Sequence, residues 1–176
     1  MRRVPHFVVL GFAASASVGG WGTLVAQESP SAAAFGSLAS LVGHWKGVFR
    51  GTDITLTYTL TANGSALMEE ARPKSEPAMI TMFTVDGDHL LATHYCSTKN
   101  QPHMKTQAIS APPTQRLTFT LYRVTGMRAP DDWHNTGLVL ILEDQDHLTQ
   151  EWTYRFKGKT GKNVFHFTRE HSGGDQ

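Results

Sequence analysis

Polar and apolar residues alternate one by one along much of this chain. The clearest segment is 53–61, in which every second position is apolar: Ile54, Leu56, Tyr58 and Leu60. Successive side chains of a β-strand point to opposite faces, so this period predicts a strand with one apolar face and one solvated face.

The same alternation recurs in segments that are separated by turn-forming residues. Asn63-Gly64 and Asp86-Gly87 each stand between two such segments and are typical of tight β-hairpins. The predicted strands are 44–50, 53–61, 65–71, 79–85, 89–96, 103–109, 116–123, 137–143, 147–157 and 162–170. We therefore predict an all-β fold, an antiparallel up-and-down barrel of about ten strands with a short N-terminal helix near 32–41, because closure leaves no unpaired edge.

The N-terminal segment has the pattern of an export signal. Arg2 and Arg3 precede an apolar, small-residue stretch that is too short to span a bilayer comfortably. We expect cleavage after residue 26, a tether over 27–34, one barrel domain over 35–172 and a disordered tail over 173–176. The expected location is periplasmic or secreted, with no stable membrane anchor after cleavage.

The net charge argues against nucleic-acid binding, and the cysteine content excludes an internal disulfide. Loss of Arg2 and Arg3 lowers Lys+Arg from 16 to 14 against 15 acidic residues, so the net charge changes from +1 to −1. Such a chain has no electrostatic attraction for nucleic acid, and we expect no nucleic-acid partner. Cys96 is the only cysteine, so no internal disulfide can form and the core must supply the stability.

The segment 147–157 places a nearly continuous aromatic stripe on one face of its strand. A barrel of about ten strands is wider than its own side chains fill, so we expect a cavity in the lumen and a small, largely apolar molecule as partner. The predicted ligand-binding residues are Tyr58, Met82, His94, Cys96, His103, Phe119, Gln150, Trp152 and Tyr154. The alternative is that the aromatic residues pack a filled barrel that binds nothing. The oligomeric state is left open.

The densest group of reactive side chains is His94, Tyr95 and Cys96, and we expect His103 beside them on a paired strand. Imidazole and thiolate suit zinc, copper or haem iron, but their spacing matches no recognised metal motif. We therefore assign no cofactor, with haem or a transition metal as the alternative. A further alternative is a cavity enzyme of isomerase, cyclase or decarboxylase type, in which His94 is the acid/base and Tyr95, Tyr154 or Cys96 assists.

Two local patterns bear on which ionisable side chains face the lumen. Glu69 and Glu70 are adjacent, so on a strand only one of them can point inward, and the pattern does not choose between them. His166 lies between Phe165 and Phe167; if both phenylalanines face the lumen, His166 faces solvent.

Gly43-His44-Trp45 resembles the Gly-x-Trp motif of the lipocalin and calycin superfamily. In that group the Trp closes one end of the barrel and stacks beneath an Arg from the last strand, and Arg169 stands at the matching place here. The resemblance implies a structural, barrel-closing role for Gly43, Trp45 and Arg169 through a cation–π contact. In strand count the chain looks most like fatty-acid-binding and nitrobindin-type barrels, but no motif identifies a haem-ligating histidine.

Overall fold

The computed structural model describes residues 28–111 and 115–171, which form one short α-helix followed by ten strands. Helix α1 spans Pro30–Ala39, and a 3-10 turn spans Ala62–Gly64. The strands are β1 Gly43–Phe49, β2 Thr52–Thr61, β3 Ala66–Pro73, β4 Met79–Asp86, β5 His89–Tyr95, β6 Gln101–Lys105, β7 Arg116–Thr125, β8 His134–Leu142, β9 His147–Phe156 and β10 Lys159–Glu170. The predicted leader over 1–26 and the predicted tail over 173–176 lie outside the described residues.

The ten strands form a closed antiparallel barrel. Each strand pairs with its neighbours in sequence, and β1 pairs with β10 to complete the ring. The predicted fold class is therefore confirmed, and closure leaves no strand edge unpaired. Within the described residues, no helix is long and apolar enough to cross a membrane.

Several boundaries differ from the predicted ones by a few residues, and three of the differences concern α1, the turn after β2 and β6. The helix begins at Pro30 because the Ser29 hydroxyl accepts a hydrogen bond from the backbone N–H of Ala32 (3.2 Å), so residues 30–34 belong to α1 and not to a tether. The turn after β2 uses four residues, 62–65, instead of Asn63-Gly64 alone. β6 covers 101–105 and not 103–109, because the preceding turn closes with a bond from Cys96 N–H to the Asn100 carbonyl (3.1 Å).

One half of the barrel is filled with side chains. Helix α1 packs its buried Ala34 and Leu38 over this end. Below the helix, fully buried side chains from several strands occupy the lumen, including the tilted pair Phe83 and Phe119, whose ring centres are 5.7 Å apart. The alternative of a filled barrel therefore describes this half, and any cavity must lie toward the opposite end.

Trp45 and Arg169 hold the filled end closed. The Arg169 guanidinium lies 4.2 Å from the centre of the Trp45 ring, and the indole N–H donates to the Leu41 carbonyl (2.8 Å). The guanidinium also donates, at 2.8–2.9 Å, to the carbonyls of Ser40, Val42 and Gln145. Gly43 has φ 131°, and a Cβ there would lie 3.0 Å from Arg169 Nη1. These contacts join the beginning of β1 to the end of β10 beside the turn that follows α1.

Candidate functional site

The barrel end opposite α1 opens into a cavity of about 670 Å³. The connections β1–β2, β3–β4, β5–β6, β7–β8 and β9–β10 surround its mouth. Seven aromatic rings line the wall together with smaller apolar and polar side chains; the rings are those of Phe49, Trp133, Trp152, Tyr154, Phe156, Phe165 and Phe167. A concave space of this size, open at one end and lined by aromatic side chains with a few polar groups, matches the general properties of small-molecule sites.

A hydrogen-bonded group of four side chains crosses the lumen at the floor of this cavity. Tyr58 on β2 donates its hydroxyl hydrogen to Glu69 Oε2 on β3. Gln150 Nε2 on β9 donates to the same Glu69 oxygen (2.6 Å) and to Tyr58 Oη (2.8 Å). The Trp152 indole N–H donates to Gln150 Oε1 (2.8 Å), which sets the orientation of the amide. Each of the four side chains is buried, so these bonds hold one arrangement.

Thr81 and His94 extend this group along the cavity floor. Thr81 Oγ1 lies 3.3 Å from Glu69 Oε1 and 3.0 Å from His94 Nδ1. The His94 ring centre is 4.8 Å from that of Trp152, and both side chains line the cavity. Among the described residues, none forms a hydrogen bond with His94 Nε2. Because this unpaired nitrogen is not fully buried and His94 lines the cavity, Nε2 is available to a guest.

Burial favours the neutral forms of the ionisable groups in the floor. It raises the pKa of the Glu69 carboxyl, although hydrogen bonds from Tyr58 and Gln150 act in the opposite direction. It also raises the pKa of the Tyr58 hydroxyl, and the nearby Glu69 carboxylate adds to that rise. Burial lowers the pKa of His94 from 6.5 to about 4. Desolvation disfavours every charged form here, so the floor gains charge only with a compensating partner.

Most of the predicted ligand-binding side chains point into the lumen. Five of them line the cavity: His94, Cys96, Gln150, Trp152 and Tyr154. Tyr58 lies just below it, hydrogen-bonded to Glu69. Phe119 also points inward but belongs to the filled half, against Phe83. His166, between Phe165 and Phe167, is exposed and contacts Thr149 Oγ1 through Nδ1 (2.7 Å).

The prediction that His103 lies beside His94 and Cys96 was wrong. In the β5–β6 register His103 is paired with Thr93, so it shares the outer face of Thr93. Its ring nitrogens lie 3.3 Å from Thr93 Oγ1 and 3.2 Å from Thr125 Oγ1. The length of the turn before β6 fixes this register, and His103 does not reach the lumen.

Met82 and Tyr95 were also wrongly assigned to the site. Met82 lies between Thr81 and Phe83, both of which point inward, so alternation turns the Met82 side chain outward. Tyr95 follows the inward His94 and is half exposed on the outer face. Neither side chain lines the cavity.

Glu69 lines the cavity, but the sequence pattern did not identify it as a site residue. The hairpin signal at Asn63-Gly64 pairs Tyr58 with Glu69, and the observed register is the same. Directly paired residues share a face of the sheet, so an inward Tyr58 implies an inward Glu69. Glu70 then points outward, where it pairs with Arg72 (2.7 Å).

The described residues contain no group of three or more His, Cys, Asp or Glu side chains that could hold a metal ion. His94 and Cys96 do share the inner face, as predicted for alternate positions on a strand, but His103, the second histidine of the hypothesis, lies on the outer face of the barrel. His103 therefore cannot join His94 and Cys96 as a third ligand of one metal ion.

No protein-family model matches the chain, and no curated protein matches it. A solved structure with a similar shape is a protein of unknown function from the DUF3598 family of Nostoc punctiforme. It shares 14% sequence identity at a TM-score of 0.42, and the match covers 76% of this chain and 49% of that protein. The chain thus spans about half the length of that protein, from which no activity or ligand is transferred.

Proposed function

We propose that the protein is an exported, lipocalin-like carrier that binds a small, largely apolar molecule in the barrel lumen without changing it. The observation that carries the proposal is the aromatic-walled cavity of about 670 Å³, open at one end and floored by oriented polar groups. A few placed polar groups in an apolar wall orient a ligand and give specificity. Export is inferred from the pattern of residues 1–26. The Trp45–Arg169 contact supports the lipocalin-like assignment.

Acid–base catalysis in the same cavity is the rival function. It would use His94, whose Nε2 is available to a guest. A pKa of about 4 makes the neutral imidazole a weak base near neutral pH, which favours binding over proton abstraction. A turnover that is lost in His94→Ala, with ligand binding retained, would favour the rival.

The first test is native mass spectrometry with an absorption spectrum of the protein, expressed from its complete sequence and purified gently from the exported fraction. Extra mass without a visible band supports the carrier. A Soret band would instead indicate haem, with His94 as the candidate ligand. The same preparation is then titrated with Nile red, a neutral apolar dye whose fluorescence rises in apolar surroundings.

A pair of variants locates the bound dye. Ala71 lines the cavity, and Ala71→Phe places a ring inside it. Thr59 is exposed on the outer face of β2, so Thr59→Phe adds the same ring outside the barrel. We expect Ala71→Phe to lose dye binding with an unchanged circular dichroism spectrum, and Thr59→Phe to bind normally. Equal binding by both variants, or a clean apo mass with no dye binding, would overturn the proposal.

A further inference from the structure

Glu69 is surrounded by hydrogen-bond donors. Trp152 sets the Gln150 amide so that Nε2 faces Glu69 and Tyr58. Tyr58 Oη accepts one of those amide hydrogens and donates its own hydrogen to Glu69 Oε2. Oε2 thus accepts two hydrogen bonds, and any proton on the carboxyl must sit on Oε1, next to Thr81 (3.3 Å).

The position of that one proton determines what His94 offers to the cavity. When Oε1 carries the proton, it donates to Thr81, Thr81 donates to His94 Nδ1, and Nε2 carries the imidazole hydrogen. When Glu69 is ionised, Thr81 donates to Oε1, His94 Nδ1 donates to Thr81, and Nε2 presents a lone pair. The ionised floor therefore presents only acceptors to the guest, which suits a cationic donor.

The cavity wall has no cation near this floor. Within residues 28–111 and 115–171, its charged lining residues other than Glu69 are Arg50, Asp53 and Glu76, all exposed at the mouth. The titratable groups that face Glu69 are Tyr58 on β2 and, through Thr81, His94 on β5; β9 contributes the amide of Gln150. An anionic head group would be buried here without a counter-ion, at a high desolvation cost.

The aromatic wall is suited to a cation for a separate reason. The face of an aromatic ring is negative, so Trp, Tyr and Phe rings attract an ammonium group, and Trp does so most strongly. Trp152 belongs to this floor, with its ring centre 4.8 Å from that of His94, and Tyr154 lies two residues further along β9. Both side chains line the cavity above Glu69.

We propose that the ligand of this cavity carries one basic nitrogen, and that its ammonium group docks at the floor against Glu69, His94 Nε2 and the Trp152 ring. This inference rests on the proposed carrier function and narrows its ligand class to small apolar amines. Binding ionises Glu69: its Oε1 proton leaves to solvent as the ammonium arrives, so the pair remains neutral overall. Because burial raises the pKa of free Glu69, amine binding displaces the proton of the neutral carboxyl, and the fraction of a proton released per amine grows as the pH falls.

The test uses the complete expressed protein and three probes with one skeleton: phenylbutylamine, phenylbutanol and phenylbutanoic acid, each displacing Nile red. We expect the amine to bind about tenfold more tightly than the alcohol, and the acid to bind more weakly than both. Titration calorimetry in buffers of different ionisation enthalpy measures the released proton. The ¹⁵N shifts of His94 report the change from an Nε2–H to an Nδ1–H tautomer.

Two adjacent carboxyls provide matched variants. Glu69→Gln removes the ionisable group but keeps an acceptor and a donor in its place, so amine affinity should fall to that of the alcohol while Nile red still binds. Glu70→Gln changes the outward neighbour, which pairs with Arg72, and should leave the amine preference intact. Equal affinity for amine and alcohol in the wild type, or an amine preference that survives Glu69→Gln, would overturn this inference alone. Failure of Nile red itself to bind would overturn the proposed function.

Discussion

Gln150 on β9 donates a hydrogen bond of 2.6 Å to Glu69 on β3, and this bond joins two walls of the barrel that are four strands apart around the ring. The two residues are 81 positions apart in the sequence. Below this bond the lumen is filled with apolar side chains, and above it the cavity begins. The same interaction therefore stabilises the barrel and forms the surface on which a ligand would rest.

The first prediction separates the hydrogen-bonding role of Glu69 from its charge. Glu69→Ala leaves the Tyr58 hydroxyl and the Gln150 amide without their acceptor, and we expect a loss of about 3 kcal/mol in the free energy of unfolding. Glu69→Gln can accept both bonds and donate to Thr81, as the neutral carboxyl does, so a loss below about 1 kcal/mol is expected. Urea unfolding followed by fluorescence measures both, and equal losses would contradict this account.

The second prediction concerns acid stability. The pKa of His94 falls from 6.5 to about 4 on folding, so its contribution is complete above pH 6.5 and is lost as the pH falls through about 4. Full protonation would remove about 3 kcal/mol. Glu69 acts oppositely, because its pKa is raised and its contribution disappears as the pH rises through that value.

The experiment therefore uses a Glu69→Gln background, in which the opposing effect of Glu69 is removed. We expect the free energy of unfolding to fall between pH 6.5 and pH 4, and to fall less after an added His94→Gln substitution. The matched control is His103→Gln, since that ring lies on the outer face and cannot alter the floor. An unchanged pH dependence after His94→Gln would contradict the prediction.

Part of the site could be predicted from the sequence, because polar and inward-facing residues alternate strictly in some strands. β9 has polar residues between Gln150, Trp152 and Tyr154, so its inner face is unambiguous, and the same is true of Tyr58 on β2. Glu69 was harder, because β3 has apolar side chains at both Leu67 and Met68 and its own pattern does not define a face. Only its pairing with β2 resolves the ambiguity.

The position of His103 could not be read from its own segment. β6 is a short strand, and its pairing with β7 shifts register between His103 and Met104. A shift of one residue moves every side chain to the other face, so the exact turn length before β6 decides the outcome. Such a turn, closed by backbone hydrogen bonds at Cys96 and Asn100, has no strong sequence signal.

The third prediction tests the closed end of the barrel. Arg169→Ala removes the contact with Trp45 and the hydrogen bonds to three carbonyls, and we expect a loss of about 2 kcal/mol. Arg169→Lys keeps the charge but not the planar fork, so it should recover only part of that loss. Arg155→Ala, at an exposed position of β9, is the control and should have little effect. A similar melting temperature for Arg169→Ala and Arg155→Ala would refute the closing role.

The fourth prediction compares two glycines. A Cβ at Gly47 would lie 2.5 Å from the carbonyl oxygen of His166 and 2.8 Å from the Phe167 ring, so Gly47→Ala must displace β10. We expect a loss of about 2 kcal/mol, as for other overpacked sites. Gly36 in α1 has open space around its Cβ position, and Gly36→Ala should stabilise the protein by about 0.5–1 kcal/mol. Thermal unfolding of both variants checks the opposite signs; a destabilised Gly36→Ala would contradict the helix assignment there.

The fifth prediction concerns the mouth of the cavity. The Trp133 ring stacks on Tyr154 with ring centres 5.5 Å apart, and the Trp133 carbonyl accepts a hydrogen bond from Asn100 Nδ2 (2.6 Å). An aromatic pair is worth about 0.5–1.5 kcal/mol, so Trp133→Ala should raise the dissociation rate of bound Nile red by about two- to tenfold. Tyr122→Ala removes a half-exposed ring from the outer face and should leave that rate unchanged. Because Trp133 lies at the mouth and not in the floor, the amine preference should persist in Trp133→Ala. A dissociation rate equal to that of the wild type would show that the guest leaves by another route.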